Sequence, residues 1–190
     1  MSTTFTIHTS ETAPAGSKPI LEATQAGLGF VPNLFGVFAE APAALIAYKQ
    51  LGDLVDTQTS FDATERQVVL MTINVENDCG YCVAAHTAIA SKQGVPDEVI
   101  AALREGRPIG DAKLEALSVF TRSVVQKQGR VSQDELTAFL AAGYSQAAVL
   151  EVVVALSMKV LSNYTNQLVA TPLDDAFAPL AWEGTAQPVS

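Results

Sequence analysis

Only two of the 190 residues are cysteine and only two are histidine. Cys79 and Cys82 stand three positions apart, so a bond between them closes a very short loop and removes little chain entropy. A disulfide-scaffold protein is thereby excluded. Charge is scarce as well, at 16% of residues against 48% hydrophobic. A chain this apolar hides surface in subunit contacts, and a homo-oligomer is expected. Positive charge is scarcer still: 11 Lys and Arg against 20 Asp and Glu give a net charge of −9, with no basic cluster. Nucleic acid and anionic membranes are therefore poor partners. The most apolar stretch, AAVLEVVVALSMKVL (147–161), contains Glu151 and Lys159 and is shorter than a bilayer needs. MSTTFTIHTSETAPAGSKP lacks the basic start and apolar run of a secretory leader. A soluble, cytoplasmic protein is expected, with its thiols kept reduced unless chemistry oxidises them.

Strand signals are few, and the punctuation is that of successive helices. Residues 1–16, polar and rich in Thr and Ser, read as a loose N-terminal arm. A helical domain is expected over 17–180 and an irregular tail over 181–190. Pro32 and Pro42 open helices, as proline does in a first turn. Asp62 with Glu65, and Ser132 with Glu135, have capping-box spacing. Gly94, Gly106, Gly129 and Gly143 mark helix ends. The last long helix, from about Ser145 to Val169, carries an apolar stripe at Leu150, Val154, Leu161, Tyr164 and Leu168, broadened by Val152, Val153 and Leu156. It is expected to be buried on most sides. The fold class is all-α. VVLMTINV (68–75) could also be a buried strand, which before Cys-Gly-Tyr-Cys would suggest a thioredoxin fold. Thioredoxin needs further strands after its CxxC helix, and Pro96 to Val169 reads as helix after helix.

The chemistry sits in ENDCGYCVAAHT, residues 76–87. On a helix, Cys79, Cys82 and His86 are spaced three and four apart and share one face. Cys79 falls in the first turn with Asn77 or Asp78 as cap, where amides and helix dipole favour a thiolate. CxxC thiols in such places have pKa values of roughly 3.5–7.5. His86 can take the Cys82 proton directly or through a water. A thiolate, a base and a second thiol are the parts needed for peroxide reduction: one sulfur attacks the O–O bond and becomes a sulfenic acid, and the other condenses with it to a disulfide. Structural zinc is a competing use of the three side chains, but it takes four ligands. His8 lies in the arm, so the fourth would have to be a carboxylate such as Glu76. Haem attachment needs histidine where Val83 stands. A buried, inert cysteine pair is the remaining alternative.

CGYCVAAH resembles the second half of the core pattern of the AhpD-like alkylhydroperoxidases, a family within the carboxymuconolactone decarboxylase superfamily. That pattern is a glutamate, eleven residues, then Cys-x-x-Cys-x-x-x-His. The lead-in GFVPNLFGVFAEAPAALIAYKQL, the run AKLEALSVFTRSVVQKQGRVSQDELTAFLAAGYS and the segment LSNYTNQLVATPLD are similar too, so the resemblance covers roughly residues 25–177. It implies an AhpD-like helical bundle, trimers or hexamers, and a cofactor-free thiol peroxidase. Its substrate would be an organic hydroperoxide, and its oxidised thiols would be re-reduced by a dithiol protein of lipoyl or thioredoxin type. By position Cys82 resembles the peroxidatic cysteine, Cys79 the resolving partner and proton donor, and His86 the relay base. The glutamate position holds Gln67, which orients but carries no proton; Glu65 or, better, Glu76 could substitute. Tyr81 stands between the cysteines where well-known members have histidine, and it either donates to a peroxide oxygen or packs. Two other functions stay open: a lyase like the superfamily's namesake, whose branch does not rely on a CxxC, and a non-enzymatic redox-responsive oligomer.

Overall fold

Asp62 accepts a hydrogen bond from the Glu65 amide, and the Glu65 carboxylate returns one to the Asp62 amide, so the chain starts a helix at Ala63. That helix settles the ambiguous stretch. In the computed structural model, which describes residues 5–185, VVLMTINV is part of α4 (Ala63–Glu76). Val68, Val69, Leu70, Met71, Thr72, Ile73 and Asn74 are all buried, so no face of α4 is left to solvent over two turns. β-Branched residues weaken a helix by at most about 0.7 kcal/mol each, whereas burying each gains about 1.5–3 kcal/mol. The periodicity vanishes because every side is covered.

The other helices wrap this one. In chain order they are α1 (Lys18–Leu28), α2 (Asn33–Phe38), α3 (Pro42–Gln58), then, after α4, α5 (Gly80–Lys92), α6 (Asp97–Glu105), α7 (Ala112–Gln126), α8 (Gln133–Ala141) and α9 (Gln146–Val169). No strand occurs among the described residues. α5, α6, α7 and α9 all pack on α4, and α3 lies along α9. Beyond α7, the rings of Phe120, Phe139 and Tyr144 stack with centroids 4.1 and 4.6 Å apart. The expected cap pair Ser132 and Glu135 starts α8.

Two segments outside the helices are tied to them. Residues 1–4 of the expected arm and 186–190 of the expected tail lie outside the described residues. The rest of the arm runs over α2, where the His8 amide donates to Gly36 O at 3.0 Å and His8 Nε2 meets Glu40 at 2.7 Å. Gly36 permits the approach, since a Cβ there would stand 2.7 Å from Ile7. After α9, the chain returns as a strap across α5 and α6. Arg104 donates to the carbonyls of Leu180 and Ala181, and Trp182 Nε1 donates to Arg104 O at 2.8 Å.

α9 meets the expectation for its faces only in part. Leu150, Val153, Tyr164 and Leu168, assigned to the buried stripe, are exposed, and Leu168 is 83% exposed. Val152 is buried as expected, and Val154, Leu156 and Leu161 are half-buried against the core. The buried face also carries Ala148, Ala155 and Met158, then Lys159, Ser162, Asn163 and Asn166. An apolar stripe looks the same in sequence whichever way it faces. By length and composition α9 could cross a membrane, yet here it packs on α3 and α4 with its polar seam turned inward.

Candidate functional site

The turn between α4 and α5 sets the site. Asn77 caps α4, Asp78 adopts a left-handed conformation (φ 50°), and the Cys79 amide donates back to Asn74 O at 2.9 Å. Asp tolerates this backbone better than most residues. α5 therefore begins at Gly80, with Cys79 itself at the cap position and Cys82 in the first turn. The cap expected at Asn77 or Asp78 is displaced by one residue or more, and the helix-dipole benefit falls on Cys82 rather than Cys79.

Both thiols are free and buried. Asn166 Nδ2 donates to Cys82 Sγ at 3.2 Å and lies 3.9 Å from Cys79 Sγ, so both sulfurs face one amide nitrogen. Burial alone would push the Cys82 thiol up. The Cys79 S–H bond to it, the charge of Lys159 and the amides of Asn166 and Asn163 outweigh burial and bring it down to about 5. The Cys79 thiol moves far up, because its proton is the one shared with the Cys82 thiolate and because it is buried. One sulfur is thus anionic at neutral pH while its neighbour keeps a proton.

A cavity of about 420 Å³ opens onto Cys82. Its walls are largely apolar and aromatic, with Phe30, Phe35, Tyr48, Tyr81 and Phe177 around Cys82, His86 and Lys159; Cys79 is not among the lining residues. A larger hollow of about 570 Å³, beside Ser91, Asp97 and Arg104, holds neither sulfur.

His86 is buried, and both ring nitrogens are committed. Nδ1 lies 3.0 Å from Gln67 Oε1, and Nε2 lies 3.1 Å from Lys159 Nζ. An ammonium can only donate, so Nε2 accepts and Nδ1–H donates to Gln67. Burial, and then the Lys159 charge, hold the imidazole well below its usual range, hence neutral. Gln67 passes the chain on, donating from Nε2 to Gln93 Oε1 at 3.1 Å. His86 and Lys159 thus meet each other on the wall of the cavity that Cys82 also lines.

The remaining expected residues lie as follows. Glu76 is turned onto α7, where Arg122 Nε and Gln126 Nε2 each donate to it at 2.8 Å. Glu65 is taken up by its capping box and by Lys113 at 2.8 Å. Neither carboxylate is placed at His86. Tyr81 lines the cavity, but its hydroxyl donates to Asp174 and accepts from the Leu34 amide at 3.3 Å. Its ring meets Phe177 edge-on, which fastens the strap beside the thiols. Sequence reasoning missed Lys159, Asn163, Asn166, Asp174 and Phe177. The signal for the first three was there: positions 159, 163 and 166 make a polar line at i, i+4 and i+7 on an otherwise apolar helix.

This arrangement of helices is the AhpD-like fold. It aligns with the alkylhydroperoxidase AhpD core of an uncharacterized peroxidase-related protein from Ralstonia eutropha JMP134 at TM-score 0.79 and 21% identity, over 91% of this chain and 93% of that one. A peroxidase-related protein from Silicibacter sp. TM1040 aligns at TM-score 0.75 and 17% identity, over 93% and 97%. The debrominase Bmp8, solved as a Cys-to-Ala variant with 2,3,4-tribromopyrrole, aligns at TM-score 0.77 and 16% identity, over 94% and 95%. Residues 42–122, which include both cysteines and His86, match the Carboxymuconolactone decarboxylase family. No curated protein matches the chain.

Proposed function

We propose that the protein is a thiol peroxidase that reduces organic hydroperoxides through Cys82 and Cys79. One observation carries the reading: the sulfur held as a thiolate, Cys82, is the one that opens to an apolar cavity, while the protonated sulfur stands behind it. The Cys82 thiolate attacks the terminal oxygen of ROOH; the O–O bond breaks, leaving Cys82–SOH and RO⁻, which takes a proton to become ROH. Cys79 then attacks the sulfenic sulfur, and water leaves as the disulfide forms. A dithiol protein of lipoyl or thioredoxin type restores both thiols by exchange. A cytoplasmic setting supplies such reductants. Homo-oligomers suit the exposed apolar face of α9.

The test is thiol titration before and after one equivalent of cumene hydroperoxide, followed by turnover with a dithiol. Loss of two thiols and sustained peroxide consumption are expected. Unchanged thiols would remove the reading, and a single stoichiometric oxidation would leave a redox-responsive protein instead.

A second reading shares the sulfurs. The likeness to a debrominase and the five aromatic rings lining the cavity favour reductive debromination of an aryl bromide, ArBr plus two thiols giving ArH, a disulfide and HBr. Bromide release from 2,3,4-tribromopyrrole, with two thiols lost per bromide, separates it from peroxide reduction.

A further inference from the structure

We propose that Lys159 is the acid of the peroxidase step, giving its proton to the oxygen that leaves when Cys82 attacks. The assignment rests on the peroxidase reading above. Lys159 is only 1% exposed, and among the described residues its hydrogen-bond partner is His86, not a carboxylate. A buried cation needs an anion within reach. In the resting protein that anion is the Cys82 thiolate, and Lys159 lines the same cavity as Cys82.

As the S–O bond forms, negative charge moves from sulfur to the departing oxygen. A fixed ammonium facing the same cavity stays beside that charge throughout, which is how preorganised groups favour a transition state. The atoms balance: ROOH, Cys82–S⁻ and Lys159–NH₃⁺ give ROH, Cys82–SOH and Lys159–NH₂, and solvent entering the cavity restores the lysine proton. The position where a relay glutamate was expected holds Gln67, and the expected substitutes Glu65 and Glu76 are engaged by Lys113 and by Arg122 and Gln126. Gln67 and Gln93 instead fix the imidazole with its Nε2 lone pair toward Lys159, which orients the ammonium.

The other titratable groups facing this space are occupied or neutral. Asp53 pairs with Lys49 at 2.8 Å, and Asp56 lies 3.8 Å from Arg66. Tyr81 has given its proton to a bond with Asp174, and burial keeps the Tyr48 phenol protonated. Cys79 S–H faces Cys82. His86 is neutral. Lys92 also lines the cavity but is exposed, unlike Lys159.

The experiment varies the leaving group. Single-turnover oxidation of native protein, Lys159→Met and Lys159→Arg is followed with cumene hydroperoxide, whose alkoxide must be protonated, and with peracetic acid, whose acetate leaves without a proton. Rates are expressed per thiolate, using the thiolate fraction from iodoacetamide alkylation at each pH. Lys159→Met is expected to lose about 10²–10⁴-fold with cumene hydroperoxide, the usual worth of general acid catalysis, and far less with peracetic acid. Lys159→Arg keeps charge and recovers part of the loss. Equal losses with both oxidants, or no loss, overturn the assignment while leaving the peroxidase reading intact. Native thiols inert to both oxidants overturn both. Should Lys159→Met fail to fold, Lys159→Arg decides alone: an unchanged ratio between the two oxidants overturns the role.

Discussion

Two buried regions of this molecule are built on opposite terms. Around α7 and α8, Phe120, Phe139 and Tyr144 stack face to face with their apolar surface hidden, and Phe139 is 1% exposed. Between α5 and α9, buried positions hold a lysine, an imidazole, two thiols and three asparagines. The first region is held mainly by shape, with the Tyr144 hydroxyl donating to Lys113 O at 3.2 Å. The second needs every donor matched: Asn163 donates to Asn74, Asn77 to Asn163, and Asn166 to Cys82. Even so, Asn166 Oδ1 has no partner among the described residues. Burying polar groups is unfavourable unless each is satisfied. The contrast teaches that one buried cluster is held by apolar packing and the other by matched polar groups that leave a sulfur facing a cavity.

Substitutions can break that separation or sharpen it. The largest effect is expected from Cys82→Ser, which removes the cavity-facing sulfur: peroxide consumption in a coupled dithiol assay falls to background. Next is Phe139→Ala, with the opposite signature. Removing a stacked, buried ring destabilises by about 3–5 kcal/mol. For a chain of this size that lowers Tm by roughly 6–20 °C in calorimetry. Alkylation of Cys82 in the remaining folded protein should keep its native rate. A changed rate would mean the two regions are coupled.

Asn166→Ala sharpens the comparison from the polar side. Native Cys82, titrating at about 5, should alkylate with iodoacetamide at a constant rate from pH 8 to 6. The rate then falls as pH drops through 5, because the thiolate is lost on protonation. Removing the Asn166 donor takes away a hydrogen bond to a charged group, about 1.5–3 kcal/mol, so the midpoint rises by about 1–2 pH units. A midpoint that stays in place would show that Lys159 and Cys79 suffice. The smallest effect is expected from Ser132→Ala, which deletes the capping box of α8 and should destabilise by about 1 kcal/mol in urea unfolding without altering the alkylation profile.

What could be seen in the sequence follows from how local each signal is. The capping boxes at Asp62 and Ser132 act over three residues, and both form. The Cys82–His86 spacing is likewise local, and both side chains line one cavity. α4 resisted assignment because a helix covered on all sides has no periodicity to read. The face of α9 was misread in part because its exposed apolar line is as regular as a core stripe. Lys159, Asn163 and Asn166 lie more than seventy positions from Cys82, and no local rule connects them to it. Their polar line was visible; its destination required the packing of α9 on α4.

The glycine between the cysteines has a consequence of its own. A Cβ on Gly80 would stand 2.9 Å from the carbonyl oxygen of Trp182. That oxygen is backbone, so no change of side chain at position 182 makes room. The dipeptide inside a CxxC is the usual place for nature or an engineer to retune a thiol pair. Here half of it is reserved by a stretch of chain about a hundred residues downstream. Altering that half means rerouting the C-terminal segment first, and the two parts of the gene are bound to change together.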